Sequence, residues 1–281
     1  MEKYRVTAEY VAEFRQYLYT EERSAGTVEK YLRDIRAFAR WLDGQTVNKE
    51  LVSRWKDSLL TSGYAPTTVN SMLAAVNAFF RFAGWTECRV KALRIQRRLF
   101  RESNRELTQR DYHCLIETAR NRGRERLALL MEAICATGIR ASEVQYLTVE
   151  SARHGRADLS LKGKIRTILL PAKLCRKLLN YTKKQKIVSG EIFCTRNGTG
   201  MSRKQIWSEM KALCRYAGIA PSKVFPHNLR HLFAQTFYNV CHDVVKLADV
   251  LGHSSIETTR IYLVSTGTEH EKTMARLGLV L

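Results

Sequence analysis

The sequence predicts a two-domain protein that is mainly α-helical, with a small antiparallel β-sheet in the second domain. Apolar residues recur at three- and four-residue steps along most of the chain, and the period changes to two only between residues 157 and 171. The length of 281 residues, with 45% hydrophobic and 26% charged residues, is typical of one large or two ordinary globular domains. Collagen, low-complexity disorder and a disulfide-stabilised miniprotein are therefore excluded.

Four helices are predicted in residues 1–88, and the second of them carries a basic face. They run from about Thr7 to Tyr19, from Thr27 as N-cap to Leu42, from Lys49 to Ser62, and from Pro66 to Gly84. On the second helix the apolar side chains share one side, and the basic ones cluster on the other. Such a face is usually only the solvated side of a helix, but it can also bind a polyanion. Its residues are Lys30, Arg33, Arg36 and Arg40.

The charge of the chain is the first indication of function. There are 47 Lys and Arg residues against 27 Asp and Glu, which gives a net charge of +20. Residues 1–88 carry 12 basic and 11 acidic side chains, residues 89–105 carry 7 and 1, and the remainder carries 28 and 15. A near-neutral front, a basic connector and a basic back half predict a polyanionic partner. In the connector, Arg94, Arg97 and Arg98 are candidates to contact it.

The back half is predicted as an α+β domain. Thr108 and Asp111 form a capping pair at the start of its first helix, and helices follow at 109–120, 124–136 and 141–147. Two strands then surround a tight turn at Lys162-Gly163, and a short strand at 191–195 is a candidate to join them. The chain returns to helices after residue 198.

Cysteine usage and hydropathy indicate where the protein acts. The seven cysteines are spaced 19 to 40 residues apart and form no CxxC pair. We interpret them as reduced thiols of a cytoplasmic protein. No apolar stretch is long enough to cross a bilayer and no signal peptide opens the chain, so no membrane partner is expected.

Three short segments of the back half combine arginine, histidine and tyrosine in an unusual way. They read Thr137-Gly-Ile-Arg140-Ala-Ser-Glu143, His227-Asn-Leu-Arg230-His231, and Leu251-Gly-His253 followed by Tyr262. Each has an ordinary interpretation when taken alone: a helix-start ion pair, a pair of histidines that could bind zinc, and a packing tyrosine. The two histidines of the second segment have no acidic HExxH pattern and no cysteine partner, so a zinc site is not expected.

Taken together, the segments resemble the tyrosine recombinase, or phage integrase, family. Its catalytic domain has, in this order, an arginine in a TGxRxSE-like segment, a lysine in a β-hairpin, HxLRH, LGH and a tyrosine. The front matches the family's core-binding domain in Thr27-Val-Glu-Lys-Tyr-Leu and Thr67-Thr-Val-Asn, with a layout like the small Xer-type recombinases. The resemblance implies an N-terminal SAM-like four-helix core-binding domain (1–88), a basic linker (89–105), and an α+β catalytic domain with a C-terminal interaction tail (106–281).

The resemblance also implies a nucleophile and a clamp for a DNA phosphodiester. Tyr262 would attack the phosphorus, form a 3′-phosphotyrosyl link and release a 5′-hydroxyl. Arg140 and Arg230 would donate to the nonbridging oxygens of the transition state, where negative charge gathers. Glu143 is expected to orient Arg140 or its helix rather than to contact DNA.

Proton transfer is implied to use a lysine and histidines, with no metal or other cofactor. Lys162 in the hairpin would protonate the leaving oxygen, His227 would assist as acid and base, and His253 would hydrogen-bond the phosphate. His231 would support the site from behind. The hairpin is one residue shorter than the family's GKGxKxR form, so Lys164 remains an alternative to Lys162.

The implied substrate is double-stranded DNA with short inverted-repeat core sites, rather than a small molecule. On synapsed DNA the chain would form a homo-tetramer and exchange strands through a Holliday junction. Its C-terminal tail would pack either on a neighbouring protomer or back onto its own domain. A type IB topoisomerase-like enzyme and a catalytically inactive DNA-binding protein are the alternatives. The complete set of six catalytic residues argues against the second. The sequence leaves the target site open, together with the choice among integration, excision, inversion and dimer resolution.

Overall fold

The computed structural model describes residues 4–95, 105–161, 164–263 and 275–277. These residues contain α-helices along most of their length and a two-stranded antiparallel sheet, so the predicted fold class is confirmed. Contacts divide the chain into two compact units, residues 1–97 and 98–281. Within the described ranges, no helix is both long and apolar enough to span a membrane.

Four helices build the N-terminal unit. They are α1 (Ala8–Thr20), α2 (Ala25–Leu42), α3 (Lys49–Thr61) and α4 (Pro66–Phe82). Helix α1 begins as predicted, because the Thr7 side chain accepts a hydrogen bond from the Tyr10 N–H. The predicted N-cap of α2 is wrong. The Ser24 carbonyl already accepts from the amides of Thr27 and Val28, so the helix starts at Ala25 and Thr27 lies in its first turn.

The core of this unit is aromatic, and it includes the first part of the connector. The rings of Phe38 and Trp55 are 4.8 Å apart, and both side chains are buried. On α4, the Asn77 amide bonds both backbone groups of Val90, at 2.9 and 3.2 Å. Asn70, two turns earlier, does the same for Leu93, at 2.9 and 2.7 Å. Residues 90–93 are therefore held along α4 by side-chain amides.

The described residues of the second unit form eight further α-helices and the sheet. They are α5 (Gln109–Asn121), α6 (Glu125–Thr137), α7 (Val149–His154), β1 (Arg156–Leu161), β2 (Lys164–Leu169), α8 (Ala172–Gln185), α9 (Arg203–Ala217), α10 (Pro226–Cys241), α11 (Val244–Leu251) and α12 (Ile256–Leu263). The segment predicted as a helix at 141–147 is a 3₁₀ helix at Ala141–Tyr146. In the sheet, Arg156 is opposite Leu169 and Leu161 is opposite Lys164.

For this unit, the predicted start of α5 is confirmed, and the prediction that a third strand joins the sheet is wrong. The capping pair at the start of α5 is confirmed, because the Thr108 and Asp111 side chains each accept from the other's backbone N–H. The third strand at 191–195 does not join the sheet in the described part of the chain. Glu191 and Cys194 form only isolated bridges, to Thr148 and to Gly200. Helix α6, of whose thirteen residues eight are buried, packs in the core and leads directly into the segment that contains Arg140.

Candidate active site

Five of the six predicted catalytic residues lie in the described residues, and the structure brings them together at the ends of helices. Arg140 precedes the 3₁₀ helix, His227 and Arg230 are on the first turns of α10, His253 follows α11, and Tyr262 is on α12. Helix ends provide exposed backbone groups and abrupt changes of direction, which lets side chains from distant segments converge.

Gly138 makes the turn that brings Arg140 to α10. It ends α6 with φ +64°, in the left-handed region that glycine adopts without strain. A Cβ at this position would be 2.5 Å from Cδ1 of Phe233 on α10. Only glycine therefore allows this close approach, and its carbonyl then accepts a hydrogen bond from Arg230.

Arg230 is buried, and hydrogen bonds hold both terminal nitrogens of its guanidinium. The residue is 2% exposed, and its Nη1 donates to the Gly138 carbonyl. Its Nη2 donates to the Leu251 carbonyl at 2.8 Å and to Nε2 of His253 at 2.9 Å. Burial lowers the pKa of Arg230, and the Tyr262 hydroxyl, within hydrogen-bonding reach, opposes that shift. These contacts preorganise the guanidinium before any substrate arrives.

Arg140 is more open to solvent and is held by a buried carboxylate. Its Nη1 donates to Oε1 of Glu143 at 2.7 Å, and its backbone N–H donates to Oε2 at 3.0 Å. The Arg140 side chain is 41% exposed, whereas that of Glu143 is 3% exposed. The buried Glu143 carboxylate therefore holds both the backbone N–H and the guanidinium of Arg140, whose side chain remains partly exposed.

Arg166, which lies on β2, also belongs to this cluster and was not among the predicted site residues. Its Nη1 is 3.4 Å from Oε2 of Glu143, and its Nη2 donates to the Val250 carbonyl at 2.8 Å. Only 13% of its side chain is exposed, and burial lowers its pKa to about 10. The available signal was its position two residues after Lys164, in the predicted hairpin.

His253 is neutral at physiological pH. Because a guanidinium only donates, Nε2 of His253 must accept from Arg230, so the ring proton is on Nδ1 and points to Oγ1 of Thr259 at 2.9 Å. Burial, followed by the charges of Arg230 and Arg140, lowers the pKa of His253 to about 4. In this arrangement His253 orients Arg230, and its hydrogen bond to a phosphate stays a prediction.

Tyr262 is packed against three histidine rings in the same pocket. Its ring centroid is 4.4 Å from that of His231, 5.6 Å from that of His253, with the rings stacked, and 5.8 Å from that of His227. The residue is 5% exposed and packs with Leu247 of α11. The Tyr262 hydroxyl therefore lies within hydrogen-bonding reach of Arg230, and its ring contacts three histidine rings.

Several predicted residues cannot be placed. Lys162 lies outside the described residues, and for Lys164 only the backbone, as the start of β2, is described. Arg97 and Arg98 of the connector are also outside them, whereas Arg94 is exposed. In the part of the chain that is described, no group of three or more His, Cys, Asp or Glu side chains could hold a metal ion.

The basic face on α2 is exposed but not uniform. The buried Asp34 accepts from Lys30 at 2.7 Å and from Arg33 at 3.0 Å, so these two cations are fixed to the helix. Arg36 and Arg40 are exposed and line a groove of about 930 Å³ together with α1. The predicted face is therefore accessible; Asp34 holds Lys30 and Arg33, and Nε of Arg40 donates to the Arg36 carbonyl at 3.4 Å.

A second basic surface, on α9, was not singled out from the sequence. Lys204, Trp207, Lys211 and Arg215 follow at three- and four-residue steps and so share one side of the helix. Trp207 is 50% exposed, and the Lys211 ammonium lies 5.5 Å from its ring. Cations interleaved with an exposed aromatic residue are typical of nucleic-acid contacts.

Both parts of the chain match known protein families. The phage integrase family matches residues 105–269, and the phage integrase N-terminal SAM-like domain matches residues 11–87. The tyrosine recombinase XerA of Pyrococcus furiosus is 29% identical over 97% of this chain and 95% of its own length. The tyrosine recombinase XerD of Brucella suis is 30% identical over 84% of this chain and 85% of its own.

Solved structures show the same fold. The Tn1549 transposon integrase in complex with circular intermediate DNA has a TM-score of 0.73 at 16% identity, over 96% of this chain and 99% of that one. The XerH site-specific recombinase bound to its difH substrate, a pre-cleavage complex, has a TM-score of 0.69 at 17% identity, over 95% and 84%. At these identities the likeness concerns the fold alone.

Proposed function

The chain belongs to the phage integrase family and is a tyrosine-type site-specific DNA recombinase, and we propose that Tyr262, Arg140 and Arg230 carry out its strand cleavage. One observation carries the proposal. The Tyr262 hydroxyl is within reach of the buried Arg230, in a pocket that Arg140 and His253 also face. A topoisomerase-like enzyme and an inactive DNA-binding protein are not favoured by the family relatives.

Cleavage exchanges one phosphoester bond for another. The Tyr262 oxygen attacks phosphorus, a bond to tyrosine forms, and the bond to the 5′-oxygen of the next nucleotide breaks. Negative charge that develops on the nonbridging oxygens is met by the guanidiniums of Arg140 and Arg230, which are already oriented. The phosphotyrosyl ester retains the bond energy, so a 5′-hydroxyl from the partner duplex can reverse the step on a new strand.

The two proton transfers are assigned to groups beside the tyrosine. The Tyr262 proton leaves to His227, whose ring centroid is 5.8 Å from that of the tyrosine. The leaving 5′-oxygen receives a proton from the hairpin lysine, Lys162, with Lys164 as the alternative. His253 contributes by holding Arg230 through its neutral ring. His231, the ring closest to Tyr262 among these three histidines, supports the position of the nucleophile.

DNA is the substrate, and we propose that both units contact its backbone. The exposed cations of α2 and α9, with Arg94 of the connector, supply positive charge for phosphates. The XerH and Tn1549 structures each contain DNA, which supports a duplex substrate for a chain of the same fold. With DNA as its substrate, we expect the enzyme to act in the cytoplasm.

Recombination by this chemistry needs four active sites on two duplexes, so we propose a homo-tetramer on inverted-repeat core sites and a Holliday-junction intermediate. An apolar groove of about 460 Å³ on the catalytic unit supports a contact between protomers. Its lining includes Tyr112, Phe233 and Val240, and Val240 is 81% exposed. The apolar sequence 273–281 of a neighbouring protomer is the proposed occupant. Deletion of 273–281 should therefore abolish tetramers on DNA in sedimentation experiments.

The function is tested by covalent trapping. Wild type and Tyr262→Phe are incubated with duplex fragments from the DNA that flanks the gene, each nicked just 3′ of a candidate site so that the short fragment released with a 5′-hydroxyl diffuses away. We expect a denaturant-resistant protein–DNA adduct at one discrete sequence with wild type and none with Tyr262→Phe, whose noncovalent binding is unchanged. An adduct formed equally by Tyr262→Phe would contradict the assignment, and adducts at all sequences would favour relaxation without site specificity.

A further inference from the structure

We propose that Arg166 is a positioning residue for strand cleavage, which sets the placement of both Arg140 and His253 from strand β2. This inference rests on the proposed function. Arg166 is linked to Arg140 through the Glu143 carboxylate and to His253 through the end of α11.

The first link passes through Glu143. Its Oε1 accepts from Arg140 at 2.7 Å, and its Oε2 lies 3.4 Å from Nη1 of Arg166. Because Glu143 is 3% exposed, its orientation is decided by these two arginines and by the Arg140 backbone N–H rather than by water. A shift of Arg166 would therefore move the carboxylate and, with it, the guanidinium of Arg140.

The second link passes through the last turn of α11. Arg166 donates to the Val250 carbonyl, and Arg230 donates to the next carbonyl, that of Leu251. The last carbonyls of a helix have no partner within the helix, and basic side chains commonly bind them. Two arginines thus fix the end of α11, and His253 follows within two residues. Its position relative to Arg230 depends on both.

Gly252 shows how closely Arg166 crosses this turn. The residue has φ +62°, and a Cβ placed on it would be 2.3 Å from Cδ and 2.6 Å from Nε of Arg166. The glycine that precedes His253 is therefore needed for the passage of the arginine stem as well as for the backbone conformation. The turn and the arginine are packed as one unit.

The energetics favour a positioning role over a stabilising one. The Arg166 side chain is nearly buried, and its Nε has no hydrogen-bond partner in the described part of the protein. Removal of a guanidinium from water is expensive, and a buried ion pair often contributes little net stability compared with an apolar residue. A chain that needed only stability at this position would be served by an apolar side chain.

The test uses R166K and R166M, with R156K as the matched control. Arg156 is on the paired strand β1 and is largely exposed, so its replacement changes the sheet but not the site. The substrate is the nicked duplex that traps wild type. We expect R166K to cleave about 10- to 100-fold more slowly than wild type at saturating DNA, because displacement of an oriented group by about 1 Å has effects of this size. Its DNA affinity and melting temperature stay near those of wild type, and R156K cleaves normally.

The pH dependence of the cleavage rate distinguishes a positioning role of Arg166 from a purely structural one. His253 is faced by the cations of Arg230, Arg140 and Arg166, by the His227 and Tyr262 rings, and by Thr259, with Glu143 behind the arginines. Replacement of Arg166 by an apolar residue removes one cation, so the acidic limb of the cleavage rate should move to higher pH in R166M. Because R166M leaves no buried charge unpaired, it supplies a folded variant if R166K melts early.

Wild-type rates and an unshifted acidic limb in a folded Arg166 variant would overturn the inference. Tyr262→Phe is run in parallel to keep the two proposals separate. If Tyr262→Phe still forms the adduct, the proposed function fails. If Tyr262→Phe is inactive while R166K and R166M behave as wild type, only the role of Arg166 fails.

Discussion

The N-terminal and catalytic units each contain a buried carboxylate that binds two basic side chains. In the front, Asp34 is 2% exposed and holds Lys30 and Arg33. In the back, Glu143 is 3% exposed and holds Arg140 and Arg166. The two groups use the same elementary interaction, yet they lie in very different surroundings.

The difference lies in what surrounds the cations. Arg33 keeps 71% of its side chain exposed, so the front carboxylate anchors a solvated basic face. Lys30 also donates to the Ser71 carbonyl and thereby joins α2 to α4. Behind Glu143, Arg166 is nearly buried, and further arginine and histidine side chains crowd the same space. The front carboxylate thus leaves its arginine largely exposed to solvent, whereas the back carboxylate joins two arginines beside the residues proposed to cleave DNA.

The largest expected effect is on the cleavage rate of an arginine variant in the back. Arg230→Ala should reduce cleavage of the nicked duplex by about 10³-fold, because an oriented donor to the developing charge is lost. The matched front variant, Lys30→Ala, should cleave at the wild-type rate once DNA is saturating. The comparison breaks if the two variants lose cleavage equally, as measured by single-turnover adduct formation.

The next largest effect is expected when the Glu143 carboxylate is replaced, with Asp34 as the matched site in the front. Glu143→Gln keeps the shape of the side chain but removes its charge, so Arg140 and Arg166 lose their common anchor, and we expect about 10²-fold slower cleavage. Asp34→Asn should leave the saturated rate unchanged and lower the free energy of unfolding by about 1 to 2 kcal/mol, since hydrogen bonds to a charged group are lost. A slower saturated rate for Asp34→Asn would show that the front also controls the chemistry.

Low pH should lower the stability of the C-terminal unit more than that of the N-terminal unit. The pKa of His253 is about 4 in the folded chain and near 6.5 when unfolded, so the unfolded chain binds a proton first as pH falls. The stability due to neutral His253 is full above pH 6.5 and is lost progressively toward pH 4. Residues 1–88 contain no histidine.

Hydrogen exchange, corrected for intrinsic rates, measures this difference. Between pH 7 and 4.5, α10 and α11 should lose protection while α2 and α4 lose less. His253→Gln, whose amide can still accept from Arg230 and donate to Thr259, should remove much of the pH dependence. Equal loss of protection in both units, unaffected by this variant, would contradict the assignment.

The smallest effect concerns Arg36 and Arg40, two exposed residues of the basic face. Arg36→Ala and Arg40→Ala should each weaken DNA binding modestly and reduce the slope of log affinity against log salt by about 1, as expected for one lost phosphate contact. Cleavage at saturating DNA should not change. Fluorescence anisotropy at several salt concentrations measures the slope, and an unchanged slope in both variants would remove this face from the DNA interface.

Much of the fold was predictable because its signals are local. The capping pair of Thr108 and Asp111 and the proline at the start of α4 determine helix starts within a few residues of sequence. The predicted start of α2 was wrong because serine and threonine are both good N-cap residues. The choice between Ser24 and Thr27 depends on the backbone before the helix. The strand at 191–195 was wrong because pairing with a distant partner decides strand membership.

Five residues of the candidate site were predicted from the sequence, but Arg166 and the hydrogen bonds between the site residues were not. The order of Arg140, His227, Arg230, His253 and Tyr262 along the chain is visible in the sequence. Arg166 crosses the turn at Gly252, and Arg230 donates a hydrogen bond to Nε2 of His253. Both contacts join segments that are far apart in the chain. No periodicity or spacing encodes such contacts.

The most direct test is to identify the amino acid that carries the DNA. The trapped adduct is digested with protease and nuclease, and the peptide bearing a nucleotide is sequenced by mass spectrometry. We predict a single modified peptide in which Tyr262 is joined to a 3′-phosphate, and no such peptide from Tyr262→Phe. A nucleotide attached to any other residue, or through a 5′-phosphate, would contradict the proposed mechanism.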